Sequence, residues 1–285
     1  MSKWSVEVCQ KKDLYNTIIN AFKAKGWEDI ASAPASEFNV LRSYDSQNRP
    51  VFIRFQPYTA ANVTHNVITT DRTAFTIGVA KNYVPNANQG TAGVFTLSST
   101  INTAFTGTNA TTTSVQVALE TDNIKLYHNI TNSCGYFAVR FNSNLAYATT
   151  YGSVFFVGVP DDEFMDDNPR RSALCLANIS STLAGIDFPA QFTATESTVV
   201  VNYNGAVWTS PRTPDLERKF WVSPVFYTHA SVGIRGRLKE LYYLTPSAFI
   251  LDGDIVNIAG INYELLRLSN FTGPFATDGF ACIEI

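Results

Sequence analysis

A mostly β fold with one N-terminal α-helix is what this sequence predicts, and three features predict it. Charged residues make up only 16% of the chain and aromatic residues 13%, whereas globular proteins average about 25% charged residues. Thr, Ser and Asn fill the difference, and these suit pleated surfaces and turns better than solvated helices. Short runs of period-two alternation recur along the chain, separated by turn residues such as Asn204-Gly205 and Ala259-Gly260, and this spacing belongs to an antiparallel sandwich or barrel. Only one segment carries a clear helical period.

That segment lies near the start. Leu14, Ile18, Ala21 and Phe22 recur on one helical face, while Lys11, Lys12, Lys23 and Lys25 stay on the wet side. Gly26 follows the cationic last turn at a C′ position, and Trp27 re-enters the apolar phase, which predicts that it folds back on the helix.

Strands are predicted at Val51–Phe55, behind a turn at Asp45–Asn48, and at Ala74–Ala80. The run from Asn82 to Thr113, rich in Thr, Asn and Gly and broken by Val94–Leu97, predicts a large loop or a floppy hairpin, an excursion of the kind that is usually functional or partner-bound. Further strands are predicted at Val115–Leu119, Ile124–Tyr127, Tyr136–Phe141 and Ser153–Val159, with a hairpin turn at Thr121–Asn123. Pro160 to Arg171 reads as an acidic loop, and Leu174 to Ile186 as either a short helix or a strand with a turn. Val199–Tyr203 and Ala206–Trp208 flank Asn204-Gly205, the strongest hairpin signal in the chain. Strands then follow at Val222–Tyr227, Gly233–Tyr243, Asp254–Ile258, Ile261–Arg267 and Gly279–Ile285. Pro211 to Pro214 reads as a linker, giving a main domain of residues 1–210 and a small barrel-like C-terminal β subdomain of residues 211–285.

Composition also bounds the chemistry. The net charge is −3 and no basic stripe is present, so no sequence-specific nucleic-acid partner is expected, though a faintly acidic wall suits a DNA passage. Cys9, Cys134, Cys175 and Cys282 stand far apart, with neither a C-x-x-C nor an adjacent His, and are expected to be reduced thiols. Neither a signal core nor a membrane span is legible. His65, His128 and His229 lie in unrelated surroundings, and no hydrolase, zincin, P-loop or dinucleotide motif occurs. The expectation is no catalytic residue, no cofactor and no metal.

Three groups remain as candidate interface residues. The run from Asp161 to Asn168 holds Asp161, Asp162, Glu163, Asp166 and Asp167 but lacks the glycine and the ligand spacing of a calcium loop. It reads as a solvated loop or a docking patch for a basic neighbour. Trp208 and Trp221, with Tyr203, Phe220 and Tyr227, read as core or interface anchors more readily than as a sugar platform. Arg235-Gly236-Arg237 reads either as a strand with a glycine bulge or as a positive rim at a subunit contact.

The segments Gly233–Leu244, Asp252–Leu265 and Asp278–Ile285 together resemble the C-terminal part of virion structural proteins encoded among the neck and tail genes of tailed bacteriophages. Leu14–Ile19, continued by Lys25-Gly26-Trp27, is similar to the leading helix of tail-terminator-like proteins. The resemblance implies a non-enzymatic virion subunit assembled in the bacterial cytoplasm, forming a ring at the neck, collar or tail terminus. Its partners would be copies of itself and portal or connector, tail tube, sheath or baseplate proteins. A baseplate or capsid-decoration protein, or a carbohydrate- or receptor-binding module, is the alternative.

Overall fold

The alternation in the sequence becomes three antiparallel sheets in the computed structural model. It describes residues 3–10, 13–31, 39–57, 75–80, 83, 96–100, 123–140, 152–163, 171–177, 184–188, 199–202, 222–229, 233–244, 250–268 and 279–285. In chain order the elements are β1 (Ser5–Gln10), α1 (Leu14–Ala24), β2 (Glu28–Asp29), β3 (Asn39–Tyr44), β4 (Pro50–Pro57), β5 (Phe75–Ala80) and β6 (Thr96–Thr100). Next come β7 (Asn123–Ile130), β8 (Cys134–Arg140), β9 (Gly152–Gly158), β10 (Asp162–Glu163), β11 (Arg171–Ala177) and β12 (Ala184–Phe188). The chain closes with β13 (Val199–Asn202), β14 (Val222–His229), β15 (Gly233–Leu244), β16 (Ile255–Ile258), β17 (Ile261–Leu268) and β18 (Gly279–Glu284).

The central sheet runs β1-β7-β8-β9-β11-β12, the second β13-β14-β15-β18-β17-β16 with β10 against β15, and the third β2-β3-β4-β5-β6. Side chains of the central sheet alternate between two cores, as a pleat requires. Leu126, Phe137, Val139, Phe155 and Val157 face α1 and the third sheet. Tyr127, Tyr136, Ala138, Val154 and Phe156 face the second sheet, against Val225, Tyr227, Leu238, Leu266 and Ile283. Each fully buried Val, Leu, Ile or Phe among them contributes roughly 1.5–3 kcal/mol of transfer free energy. Helix α1 turns Leu14, Tyr15, Ile18, Ile19, Ala21 and Phe22 inward. Phe22 joins the layers, with ring centroids 5.1 Å from Trp27, 5.6 Å from Phe55 and 5.3 Å from Phe137.

The helix ends as its sequence predicts. Gly26 N–H donates to Lys23 O at 3.0 Å and Trp27 N–H to Phe22 O at 3.2 Å, with Gly26 at φ 88°. These two bonds and the Phe22–Trp27 contact make a Schellman motif. The Trp27 indole N–H then donates to Thr131 O at 2.8 Å, tying the helix end to the turn between β7 and β8.

Two side chains of β8 reach across to the second sheet. Tyr136 on β8 meets Lys239 on β15, while Arg140, at the other end of β8, meets Glu264 and Leu265 on β17. With β18 lying between β15 and β17, β8 is tied to two strands of the opposite sheet that are not neighbours.

Several features were not read from sequence. Strands β1 and β3 were unanticipated, and β6 lies inside the segment expected to be a large loop or a hairpin. Its Thr- and Ser-rich residues suit a strand when β5 supplies the ladder. The ambiguous 174–186 segment forms β11 and β12, paired from Arg171↔Phe188 to Cys175↔Ala184. Ala259 and Gly260 both have positive φ, 51° and 86°, which makes the β16–β17 connection a type I′ turn. The second sheet takes β13 and β10 as well as all the strands after residue 221. The strand expected at 115–119, its hairpin turn, the Asn204-Gly205 hairpin beyond Asn202 and the 211–214 linker lie outside the described residues.

Candidate functional site

The acidic and basic candidates of the sequence meet each other. Strand β10 pairs antiparallel with β15, placing Asp162 opposite Arg237 and Glu163 opposite Gly236. On its other side β15 pairs with β14, where Tyr227 stands opposite Gly236 and Thr228 opposite Ile234, leaving Arg235 as the extra residue of a bulge. A bulge of this kind twists the strand and re-aims its side chains. Residues 162–163 and 236–237 therefore lie on paired strands of one chain.

The residue before β10 is anchored from below. Asp161 accepts a hydrogen bond from Ser133 Oγ at 2.5 Å, and its second oxygen lies 3.8 Å from Cys134 Sγ. Ser133 and Cys134 are in turn fixed by Thr131, whose Oγ1 accepts both of their backbone N–H groups at 3.2 Å. Burial, with the Asp161 charge second, pushes the Cys134 thiol far above its ordinary range, so it is an inert packing group rather than a nucleophile. Cys282 is pushed up to about 12 by burial alone. Asp166, Asp167, Trp208 and Trp221 lie outside the described residues.

Beyond the β10 pairing, β15 is irregular again. Val225 pairs with Leu238 but Pro224 with Tyr242, so Lys239, Glu240 and Leu241 have no partner on β14. A proline at this break fits, since it has no N–H to give the ladder. The freed Lys239 N–H donates to Tyr136 Oη of the central sheet at 3.1 Å.

A second polar cluster, not read from sequence, ties the central sheet to β17. Arg140 Nη1 donates to Asp252 Oδ2 at 2.9 Å and its Nη2 to Leu265 O at 2.8 Å. Nη2 also lies 3.0 Å from Glu264 Oε1, which accepts the Tyr127 hydroxyl at 2.9 Å. Burial is the main cause that raises the Tyr127 phenol far above its usual range; Arg140 opposes the shift and Glu264 adds to it. One guanidinium serving two carboxylates and a carbonyl fixes the angle between the sheets.

Among the described strands, those beside this cluster are edges of their sheets. Val6 of β1 pairs with Tyr127 of β7, and Ile255 of β16 pairs with Glu264 of β17. Val6, Val8 and Ile255 are 49%, 66% and 62% exposed. Paired residues share a face of an antiparallel ladder, so all three extend the inner faces of the sandwich beyond the point where the opposite sheet covers them. The only sequence signal for this edge was the brief alternation Val6-Glu7-Val8.

Among the described residues no group of three or more His, Cys, Asp or Glu side chains is placed to hold a metal ion, and no helix there is long and apolar enough to cross a membrane. Compared with family models, curated proteins and solved structures, the chain matches none.

Proposed function

We propose that this chain is a non-enzymatic structural subunit of a tailed-phage virion, a neck, collar or tail-terminator component that assembles with copies of itself into a ring. The observation that carries this reading is the open side of the sandwich, where edge strands β1 and β16 hold Val6, Val8 and Ile255 against water. Uncovered edges with apolar side chains are surfaces for strand addition and subunit contact. The resemblance of Gly233–Leu244, Asp252–Leu265 and Asp278–Ile285 to phage neck and tail proteins supports the same reading, because strands of these segments build much of the second sheet.

The sandwich is well suited to bear load between neighbours. The cluster around Arg140 and the Tyr136–Lys239 bond each clamp the two sheets, so a force on one edge passes to both. In this reading the sheet edges carry contacts of the subunit. Its neighbours would be portal or connector, tube, sheath or baseplate proteins.

Deleting the gene from the phage genome that encodes it tests the proposal. Electron microscopy of the lysate should then show filled heads and free tails that fail to join, or tails of irregular length, with recovery on complementation. Normal infectious particles from the deletion strain would overturn it.

A further inference from the structure

We infer that the outward face of the second sheet, where Glu240, Tyr242, Tyr263 and Glu284 converge, binds a guanidinium group carried by an arginine of a neighbouring protein. The site goes beyond the virion reading and does not depend on it. Pleating turns alternate residues of β17 and β18 to opposite faces. Leu266 and Ile283 pack in the core against the central sheet, whereas Tyr263, Leu265 and Cys282 belong to a separate cluster with Tyr242. Tyr263 pairs with Glu284 across β17 and β18, and Tyr242 with Cys282 across β15 and β18. The two tyrosines and Glu284 therefore share the outward face. Tyr242 and Tyr263 meet edge to face, with ring centroids 5.8 Å apart. Glu240 stands two residues before Tyr242 on β15, and its carboxyl feels the charge of Glu284. The Tyr263 phenol, raised first by burial, feels Tyr242 and both carboxylates.

These four side chains gather negative charge and acceptor oxygens. Glu240, Tyr242 and Glu284 are each partly exposed, so a ligand can reach them. Among the described residues neither carboxylate has an ion pair and neither phenol a hydrogen bond. Tyr263 is the informative one. It is only 4% exposed, and a tyrosine so deeply buried ordinarily gives its hydroxyl a partner. Its cross-strand neighbour is Glu284, which places that hydroxyl among the carboxylates. Like charges side by side destabilise a ladder, and burial adds to the cost at Glu240. A bound cation relieves both. Two carboxylates with no third ligand among the described residues do not make a metal site. A guanidinium fits better: its planar fork of N–H donors spans two carboxylates on adjacent strands while its face lies against an aromatic ring. An ammonium, a compact point charge, does neither as well.

The test is an NMR titration of the whole chain at low ionic strength with N-acetyl-arginine amide, which carries the guanidinium as a protein does. Saturable amide shifts should concentrate on β15, β17 and β18. In the double variant Glu240→Gln with Glu284→Gln, which keeps the shapes and removes the charges, binding should weaken by at least about tenfold. Tyr242→Leu, which keeps both carboxylates, should weaken it too and gives the readout if the double variant fails to fold. N-acetyl-lysine amide should bind more weakly than its arginine counterpart. No saturable response in wild type, or equal binding by wild type and variants, would overturn the site. Lysine amide bound as tightly as arginine amide would overturn the guanidinium assignment, and free arginine bound where the capped amide is refused would overturn the protein source.

Discussion

Tyr136 in the central sheet accepts the backbone N–H of Lys239 at 3.1 Å, so a side chain of one sheet completes the ladder of the other at the point where Pro224 breaks it. Tyr136→Phe keeps the ring and removes the acceptor. The expected cost is about 1 kcal/mol, the low end for an orphaned backbone donor because the Lys239 side chain reaches water. Urea unfolding checks this: the midpoint should fall with an unchanged slope.

Arg140 is the stronger clamp. Arg140→Met leaves Glu264 and Asp252 without their cation between the sheets. Breaking a buried pair costs about 3–5 kcal/mol, and the partial exposure of these groups places the loss near the lower figure. Combining Arg140→Met with Glu264→Gln should recover part of that loss. A double-mutant cycle with no coupling between the two positions would show that the network is not a unit.

Two glycines should differ sharply. Gly158 has φ +121°, and a Cβ there would lie 2.4 Å from Ser133 O and 2.6 Å from Cys134 Cα. The neighbours are backbone and cannot yield, so Gly158→Ala should cost more than about 3 kcal/mol or abolish soluble expression. Gly26 also has a positive φ, +88°, but a Cβ there meets nothing within 4 Å. Gly26→Ala should cost only about 1 kcal/mol of helix capping. Thermal unfolding of the two variants checks the contrast.

The Glu240 carboxyl is raised above its ordinary value of 4.5, first by burial and then by the charge of Glu284, partly offset by Lys239. A raised carboxyl binds its proton more readily in the folded state than in the unfolded one. Its contribution to stability is therefore complete below pH 4.5 and is lost as pH rises through the higher folded value. Glu240→Gln should raise the melting temperature at neutral pH and leave it unchanged below about pH 4. An equal gain at both pH values would exclude this origin.

What was legible in the sequence was what adjacent residues decide. The Schellman end of α1 lies within Phe22–Trp27, and the β16–β17 hairpin turns on Ala259-Gly260, so both could be read from a short window. Strand β1 escaped because exposed Val6 and Val8 alternate for too few residues, and its partner β7 lies far along the chain. Arg140 was invisible as a clamp because its partners are 112 and 125 residues away. The acidic run and the Arg-Gly-Arg segment were both recognised, yet their pairing was not, since each alone looks like a patch for a partner. The glycine bulge was readable from Gly236, and the register places it at Arg235.

The central claim is that this polypeptide is part of a finished particle. Quantitative mass spectrometry of gradient-purified phage tests it most directly. The account predicts its peptides in the particle fraction, at the fixed copy number of a ring relative to the portal protein. Peptides found only in the soluble lysate, with none in infectious particles, would contradict it.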